Sequence, residues 1–167
     1  MNVTPAREDD STQFTILNKV LKLSTRGHYS VKAMLDLAIH RHDPPQSIRQ
    51  IAHRQNISKH FLEQLLIILR QSGFVRSVRG VQGGYVLARS PAQITLGEIL
   101  RAVGDGMAPL GRLECDGAQA EDWVTMALWS RVHRSVEAAL DRITLEDLYH
   151  DARSRQATMS EEGEFVI

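Results

Sequence analysis

Cysteine is almost missing from this chain: Cys115 stands alone among 167 residues. One thiol cannot close an internal disulfide, which suits a reducing compartment. No apolar run approaches the ~18–20 residues that a membrane helix needs. The amino terminus has no basic region leading into an apolar stretch, as a secretory signal would. A cytoplasmic protein with no membrane partner is therefore expected. Catalytic constellations are missing too. No serine–histidine–acid set and no metal-spaced histidine pair is present; His40 and His42, two apart at a helix end, do not share a face. The stretch GVQGGY lacks the Lys-Ser/Thr ending of a phosphate loop and reads into a strand rather than a helix. These absences speak against an enzyme. No internal repeat is visible, and the length suits one compact domain with an appendage.

Net charge is missing only as an average. The 20 basic and 20 acidic residues cancel, but they are not mixed evenly. Residues 22–90 hold 11 Lys or Arg against 3 Asp or Glu, a net of +8, whereas residues 91–167 hold 7 against 14, a net of −7. A basic half of this kind is the electrostatic footprint of a nucleic-acid binder.

Within that half, Ser47 to Tyr85 reads as a short helix, a turn, a longer helix and a glycine-tipped hairpin. That is the order of a winged helix-turn-helix. Ser47 is a good N-cap, and Ile48, Ile51 and Ala52 share a helical face. Asn56 tolerates left-handed backbone and can turn the chain. Ser58 is a second N-cap, opening a helix through Ser72 that Gly73 ends. Phe61, Leu62, Leu65, Leu66, Ile68 and Leu69 form its apolar stripe. Ser58, Lys59, His60, Glu63 and Gln64 stay on the outer N-terminal side, the part of such a helix that meets base edges in the major groove. Phe74, Val75 and Val78, then Tyr85, Val86 and Leu87, are strand-like around Gly80, Gly83 and Gly84. Arg79 at the root of that tip suits a minor groove or a phosphate. With Ser47 and Phe61, these residues make the expected DNA-binding set, and double-stranded DNA the expected partner.

The flanks read as support and pairing. Residues 1–13 are polar and carry the acidic run Glu8, Asp9 and Asp10, as a disordered end does. Phe14 to Leu23 has the apolar content of a short docking piece. Thr25 to His40 is an amphipathic helix with Thr25 as its N-cap, and Pro44-Pro45 forbids its continuation. Pro91 closes the wing, and Thr95 caps a helix through about Val103. Gly104 to Ala120, rich in glycine and proline, reads as a loop. From about Glu121 a helix follows in which Trp123, Met126, Ala127, Trp129, Val132, Val136 and Leu140 recur on more than one face. A helix so apolar in a small protein needs a partner. Thr144 caps a last helix to about Arg153, and the polar stretch from Ser154 reads as a mobile tail.

Taken together in order, the blocks LSTRGHYSVKAMLDLA, ISKHFLEQLL, GFVRSVRGVQGGYVL, ITLGEILRAV and ALW resemble the bacterial Rrf family of winged-helix transcription factors, which includes iron–sulfur cluster (IscR-like), nitric-oxide-response and cysteine-metabolism regulators. The resemblance covers about Leu23 to Ala152. It implies a mainly α fold with a small β-wing, a long dimerisation helix and a cytoplasmic homodimer acting as a sequence-specific regulator, with repression as the expected sense. The implied division is an extension over 1–22, the winged unit over 23–104, a cysteine-bearing sensor loop over 105–120, pairing helices over 121–156 and a tail over 157–167. By the same resemblance Arg26 and Tyr29 meet phosphate and Glu63 accepts from a cytosine amino group. His60 stands where small hydroxyl residues are common, so the preferred sequence is expected to differ.

Cluster-binding members place three cysteines before the long helix, and soft thiolates suit iron–sulfur chemistry. Aligned on Ala127–Trp129, the place of the last of these is Trp123 and the usual histidine place is Met126. The three-cysteine site is therefore absent. Three readings of Cys115 stay open. The protein is a cluster-free regulator governed by a partner protein (such as a metabolic enzyme), a small molecule or oxidation of Cys115. Or it holds an iron–sulfur cluster through Cys115 with His28, and His53 or Glu114 as further candidates, partly from a second subunit. Or Cys115 is inert.

Overall fold

The computed structural model describes residues 24–105 and 120–163. The amino-terminal extension, the loop with Glu114 and Cys115, and the last four residues lie outside the described residues. Among the described residues, six helices and two strands surround one core. Helices α1 (Thr25–Ile39), α2 (Ile48–Gln55) and α3 (Lys59–Gln71) lead into strands β1 (Val75–Val78) and β2 (Gly84–Leu87). A 3-10 turn at Pro91–Gln93 precedes α4 (Leu96–Ala102), α5 (Ala120–Leu140) and α6 (Leu145–Gly163).

The helix ends are written locally. Ser47 Oγ accepts from Gln50 N, and the Gln50 side chain in turn accepts from Ser47 N, a reciprocal capping box. Thr95 and Glu98 repeat the arrangement at α4. Asn56 sits at φ 52°, ψ 48°, the left-handed turn expected between α2 and α3. Gly73, at φ 76°, follows α3 as its terminating glycine. At α1 the cap is Ser24, not Thr25: Ser24 Oγ accepts from Gly27 N, and Thr25 is already helical. Both hydroxyl residues suit the role, and the extended backbone of Ser24 decides it.

α6 corrects a second expectation. It does not end near Arg153 but runs on to Gly163. The residues beyond Arg153 are mostly good helix formers, with no proline to stop them. Ser154 and Thr158 donate their hydroxyls back to the carbonyls of His150 and Ser154, so even the polar positions stay compatible with a helix.

The core is built where the apolar stripes meet. Met34, Ile51, Leu62, Leu65, Leu66, Leu69, Ile94, Ile99 and Leu145 are fully buried. Each such side chain contributes about 1.5–3 kcal/mol relative to leaving it in water. β1 and β2 pair antiparallel, with Arg76 opposite Val86. Gln46 adds a bridge beside β2 through bonds with Tyr85 of 3.0 and 2.8 Å, so the linker before α2 is fastened to the wing. Leu96 N and Leu145 N bond Ile143 O and Ile94 O, each at 2.8 Å, tying the start of α4 to the start of α6.

Candidate nucleic-acid interface

α1, α2 and α3 carry the expected reading surface, and an ion pair between a buried carboxylate and a partly exposed guanidinium fixes two of them. Asp36, on α1, is 1% exposed. Its carboxylate accepts from Arg54 Nε at 2.9 Å, Arg54 Nη2 at 2.6 Å and Gln55 Nε2 at 2.8 Å. Arg54 Nη2 also reaches Gln46 Oε1 at 2.8 Å. This network joins α1, the end of α2 and the strand-like linker beside the wing. The Arg54 guanidinium is held more strongly protonated than usual, chiefly by its bond to Asp36. Lys32 Nζ donates to Gln55 O at 2.6 Å, satisfying a carbonyl at the end of α2. The sequence alone suggests a role for none of these five residues. Its available signal was Asp36 itself, a carboxylate in the middle of the apolar run MLDLAI.

Of the expected contact residues, Arg26 and Tyr29 fall in the first turns of α1 and Ser58 to Gln64 at the start of α3. Ser58 Oγ caps α3 by accepting from Phe61 N at 3.3 Å. Lys59 and His60 are exposed in the first turn of α3, and Gln64 one turn on. Glu63 is partly exposed, and its Oε1 lies 3.8 Å from Lys59 Nζ. Phe61 is half-buried rather than outward, packed edge-on against Tyr29 with ring centres 5.8 Å apart. Tyr29 is accordingly half-buried too, with Lys32 Nζ 5.8 Å from its ring centre. Arg26 is exposed at the start of α1 and its Nη1 points to Val103 O at 3.5 Å. Asp105 Oδ2 accepts from Ser24 N at 2.9 Å, against Gly27, where any Cβ would collide with the carboxylate.

The wing tip is a tight turn. Gly83 N donates to Gly80 O at 3.0 Å, and Gly80 takes φ 118°, a conformation L side chains rarely adopt. Arg79 and Val81 are exposed there. Gly84, expected in the tip, is the first residue of β2; a Cβ there would collide with the Pro45–Gln46 backbone, so packing within the chain already requires a glycine. α5 presents a different surface. Trp123 is 63% exposed, Leu128 52% and Trp129 41%, and the helix meets the body mainly through α4.

Of the residues considered as cluster ligands, His28 and His53 are described. His28 is half-buried beside Tyr29, and burial followed by the Lys32 charge lowers its pKa, so the imidazole is held neutral. His53 is exposed on α2. Among the described residues no three His, Asp or Glu side chains converge as a metal site.

The family model described as "Rrf2: Iron-dependent Transcriptional regulator" matches residues 23–151. The chain belongs to the Rrf2 family. Over 147 residues it is 49% identical to slr0846 of Synechocystis sp., a protein with a provisional HTH-type transcriptional regulator name, covering 88% of this chain and 100% of that one. Among solved structures, IscR of T. potens is similar with a TM-score of 0.68 and 46% identity, over 81% of this chain and 91% of that chain. CymR, the global cysteine regulator of B. subtilis, is similar with a TM-score of 0.69 and 40% identity, over 78% and 97%. The protein is a DNA-binding transcriptional regulator and not an enzyme, and its winged-helix architecture is that of the family.

Membership does not bring a three-cysteine cluster with it. The chain has one thiol, and the positions aligned with the last cysteine and the histidine hold Trp123 and Met126, both apolar and both exposed at the start of α5. Neither side chain is a thiolate or an imidazole, the donors that this site uses. That donor set does not fit here.

Proposed function

We propose that this protein is a homodimeric, cluster-free repressor of the Rrf2 family, acting in the cytoplasm, that reads DNA with α3 and the wing. The observation that carries the dimer is α5. Trp123, Leu128 and Trp129 stand in water on more than one side of a single helix, and apolar surface of that extent is covered by a partner in a stable protein. A second copy supplies the same helix, and an isologous helix pair closes on itself without leaving a new edge. Met126, Ala127, Val132, Val136 and Leu140 add to that surface.

In this reading Ser58, Lys59, His60, Glu63 and Gln64 enter the major groove, with Glu63 accepting from a cytosine amino group. Arg79, with the close backbone approach that Gly80 and Gly83 allow, enters the minor groove or meets phosphate. Arg26, Tyr29 and Ser47 hold the phosphate backbone. Glu63 leaves its Lys59 partner as it takes up the base, and Lys59 is then free for a phosphate oxygen.

The signal is read without a three-cysteine cluster. A small molecule, a protein partner or oxidation of Cys115 remains as the input. Sedimentation velocity of the full chain tests the dimer, and Trp129→Asp should shift it to single chains. Operator retardation tests the DNA reading. Protein prepared without oxygen should carry no stoichiometric iron or sulfide. A brown preparation that bleaches on Cys115→Ser would overturn the cluster-free assignment.

A further inference from the structure

On the side of the wing away from its tip lies a cleft of about 570 Å³, between the end of α1, the α1–α2 linker and the β strands. Arg41 and His42 come from the linker, Arg76 from β1 and Arg89 from the segment after β2, while Asp43 is the carboxylate among the lining residues. The floor is apolar, with Leu37, Val86, Leu87 and Pro91. None of these residues belongs to the surface assigned above to DNA.

Two of the arginines are braced by aromatic rings. The Arg41 guanidinium lies 4.4 Å from the Tyr149 ring centre, and that of Arg89 4.8 Å from Phe74. Arg41 Nε donates to His42 Nε2 at 3.1 Å, and Arg89 Nη1 lies 3.3 Å from Glu98 Oε1. Arg76 is exposed, and its side chain has no hydrogen-bond or ion-pair partner among the described residues. Three arginines and one carboxylate, Asp43, line the cleft, so with Arg89 also held by Glu98 an anion entering it still meets an excess of positive charge. Guanidinium forks match carboxylate and phosphate oxygens, and the apolar walls suit the organic body of a carboxylate. Apolar walls with a few convergent polar groups, at this volume, are the usual make-up of a small-molecule site.

We propose that this cleft is the effector site of the regulator and takes a small organic carboxylate with an apolar body. The carboxylate sits among Arg41, Arg76 and Arg89, and the apolar part covers Val86 and Leu87. Its connection to DNA binding is Gln46. Gln46 lines the cleft, bridges Tyr85 of β2 and accepts from Arg54, which holds Asp36 on α1. An occupant that favours one placement of Gln46 therefore shifts the wing against the helix-turn-helix, and operator affinity changes with it. The inference rests on the DNA-regulator reading for its consequence, but not for the binding itself.

The test uses the full-length protein, labelled with nitrogen-15 and free of DNA, titrated with benzoate at constant ionic strength against sodium chloride. Benzyl alcohol is the uncharged control. Saturable amide shifts are expected within residues 40–46 and 76–91 for benzoate alone. Arg76→Gln, which removes a charge, and Val86→Trp, which fills the floor, should each weaken the titration at least tenfold while leaving the rest of the spectrum unchanged. Benzoate should also change operator affinity at least threefold in the wild type and not in Val86→Trp. The proposal is overturned if benzoate gives no saturable shifts at about 10 mM, an affinity already near the weak end for a specific site, or if both variants titrate like the wild type. It is also overturned if Arg76→Gln lowers operator affinity and its salt dependence while benzoate does not bind, because the arginines then serve the DNA backbone. Failure of the DNA reading would show separately, as no operator retardation in the absence of benzoate.

Discussion

Arg54→Ala isolates the largest polar commitment in the fold. Asp36 is fully buried and receives two bonds from Arg54, at 2.9 and 2.6 Å, and one from Gln55 at 2.8 Å. Without the guanidinium the carboxylate keeps the Gln55 amide, with His40 Nδ1 3.8 Å away, and loses its permanent countercharge. The Arg54 side chain is 30% exposed, so the loss falls short of the ~3–5 kcal/mol of a wholly buried pair and comes to about 2–3 kcal/mol. The same change frees Gln46 Oε1, whose lost bond adds about 1 kcal/mol. Against a typical total of about 5–15 kcal/mol, that is a large fraction of the stability. Urea unfolding at pH 7, at one fixed chain concentration so that dimer dissociation does not enter the comparison, measures it. The double variant Asp36→Leu/Arg54→Met should recover most of the loss, because neither charge then remains in the core. A cycle over the two positions should show strong coupling. A loss below about 1 kcal/mol in Arg54→Ala, the range of exposed ion pairs, would refute the argument that this pair locks α1 to α2.

Three further outcomes follow from the same geometry. Arg79→Ala should weaken binding to all DNA sequences and lower the salt slope by about 1, as read from retardation across a salt series. Glu63→Ala should remove discrimination at one base position, worth about 1–3 kcal/mol, in a binding-site selection; unchanged preference at every position would count against its contact with cytosine. The Glu98 carboxyl is held below its ordinary value of 4.5, first by its bond from Thr95 N and then by Arg89. Its folded pKa is thus below its unfolded one, so its stabilisation is present above pH 4.5 and is lost as pH falls through the lowered folded value. Glu98→Gln should be less stable than the wild type at neutral pH, with the gap closing in acid denaturation series below that point.

The helix-turn-helix and wing could be read from the chain because each carries its own punctuation. Ser47, Asn56, Ser58 and Gly73 mark ends by local backbone chemistry, and the run from Phe61 to Leu69 has the helical period. The exposed face of α5 was legible for the opposite reason: it has more apolar residues than one side of a helix can bury within the chain. The Asp36–Arg54–Gln46 network was not legible, since a single Asp or Arg on a helix reads as solvated until its neighbours in space are known. Ser24 and Thr25 are equal as caps on paper, and only the backbone angles separate them. The far half of α6 was hidden by polarity, which marks exposure and not the absence of a helix. Gly84 shows a related limit. A glycine in a tip suggests a partner approaching from outside, whereas the linker at Gln46 is what occupies that space.

The central claim is that two winged units, joined through α5, sit on one duplex. Sedimentation equilibrium of the full-length protein with a fragment carrying its selected operator measures this directly. The predicted complex holds two chains per operator, with half-sites about one helical turn apart, and Trp129→Asp abolishes it at the same concentration. One chain per operator at saturation, bound as tightly as before with Trp129 replaced, would contradict it.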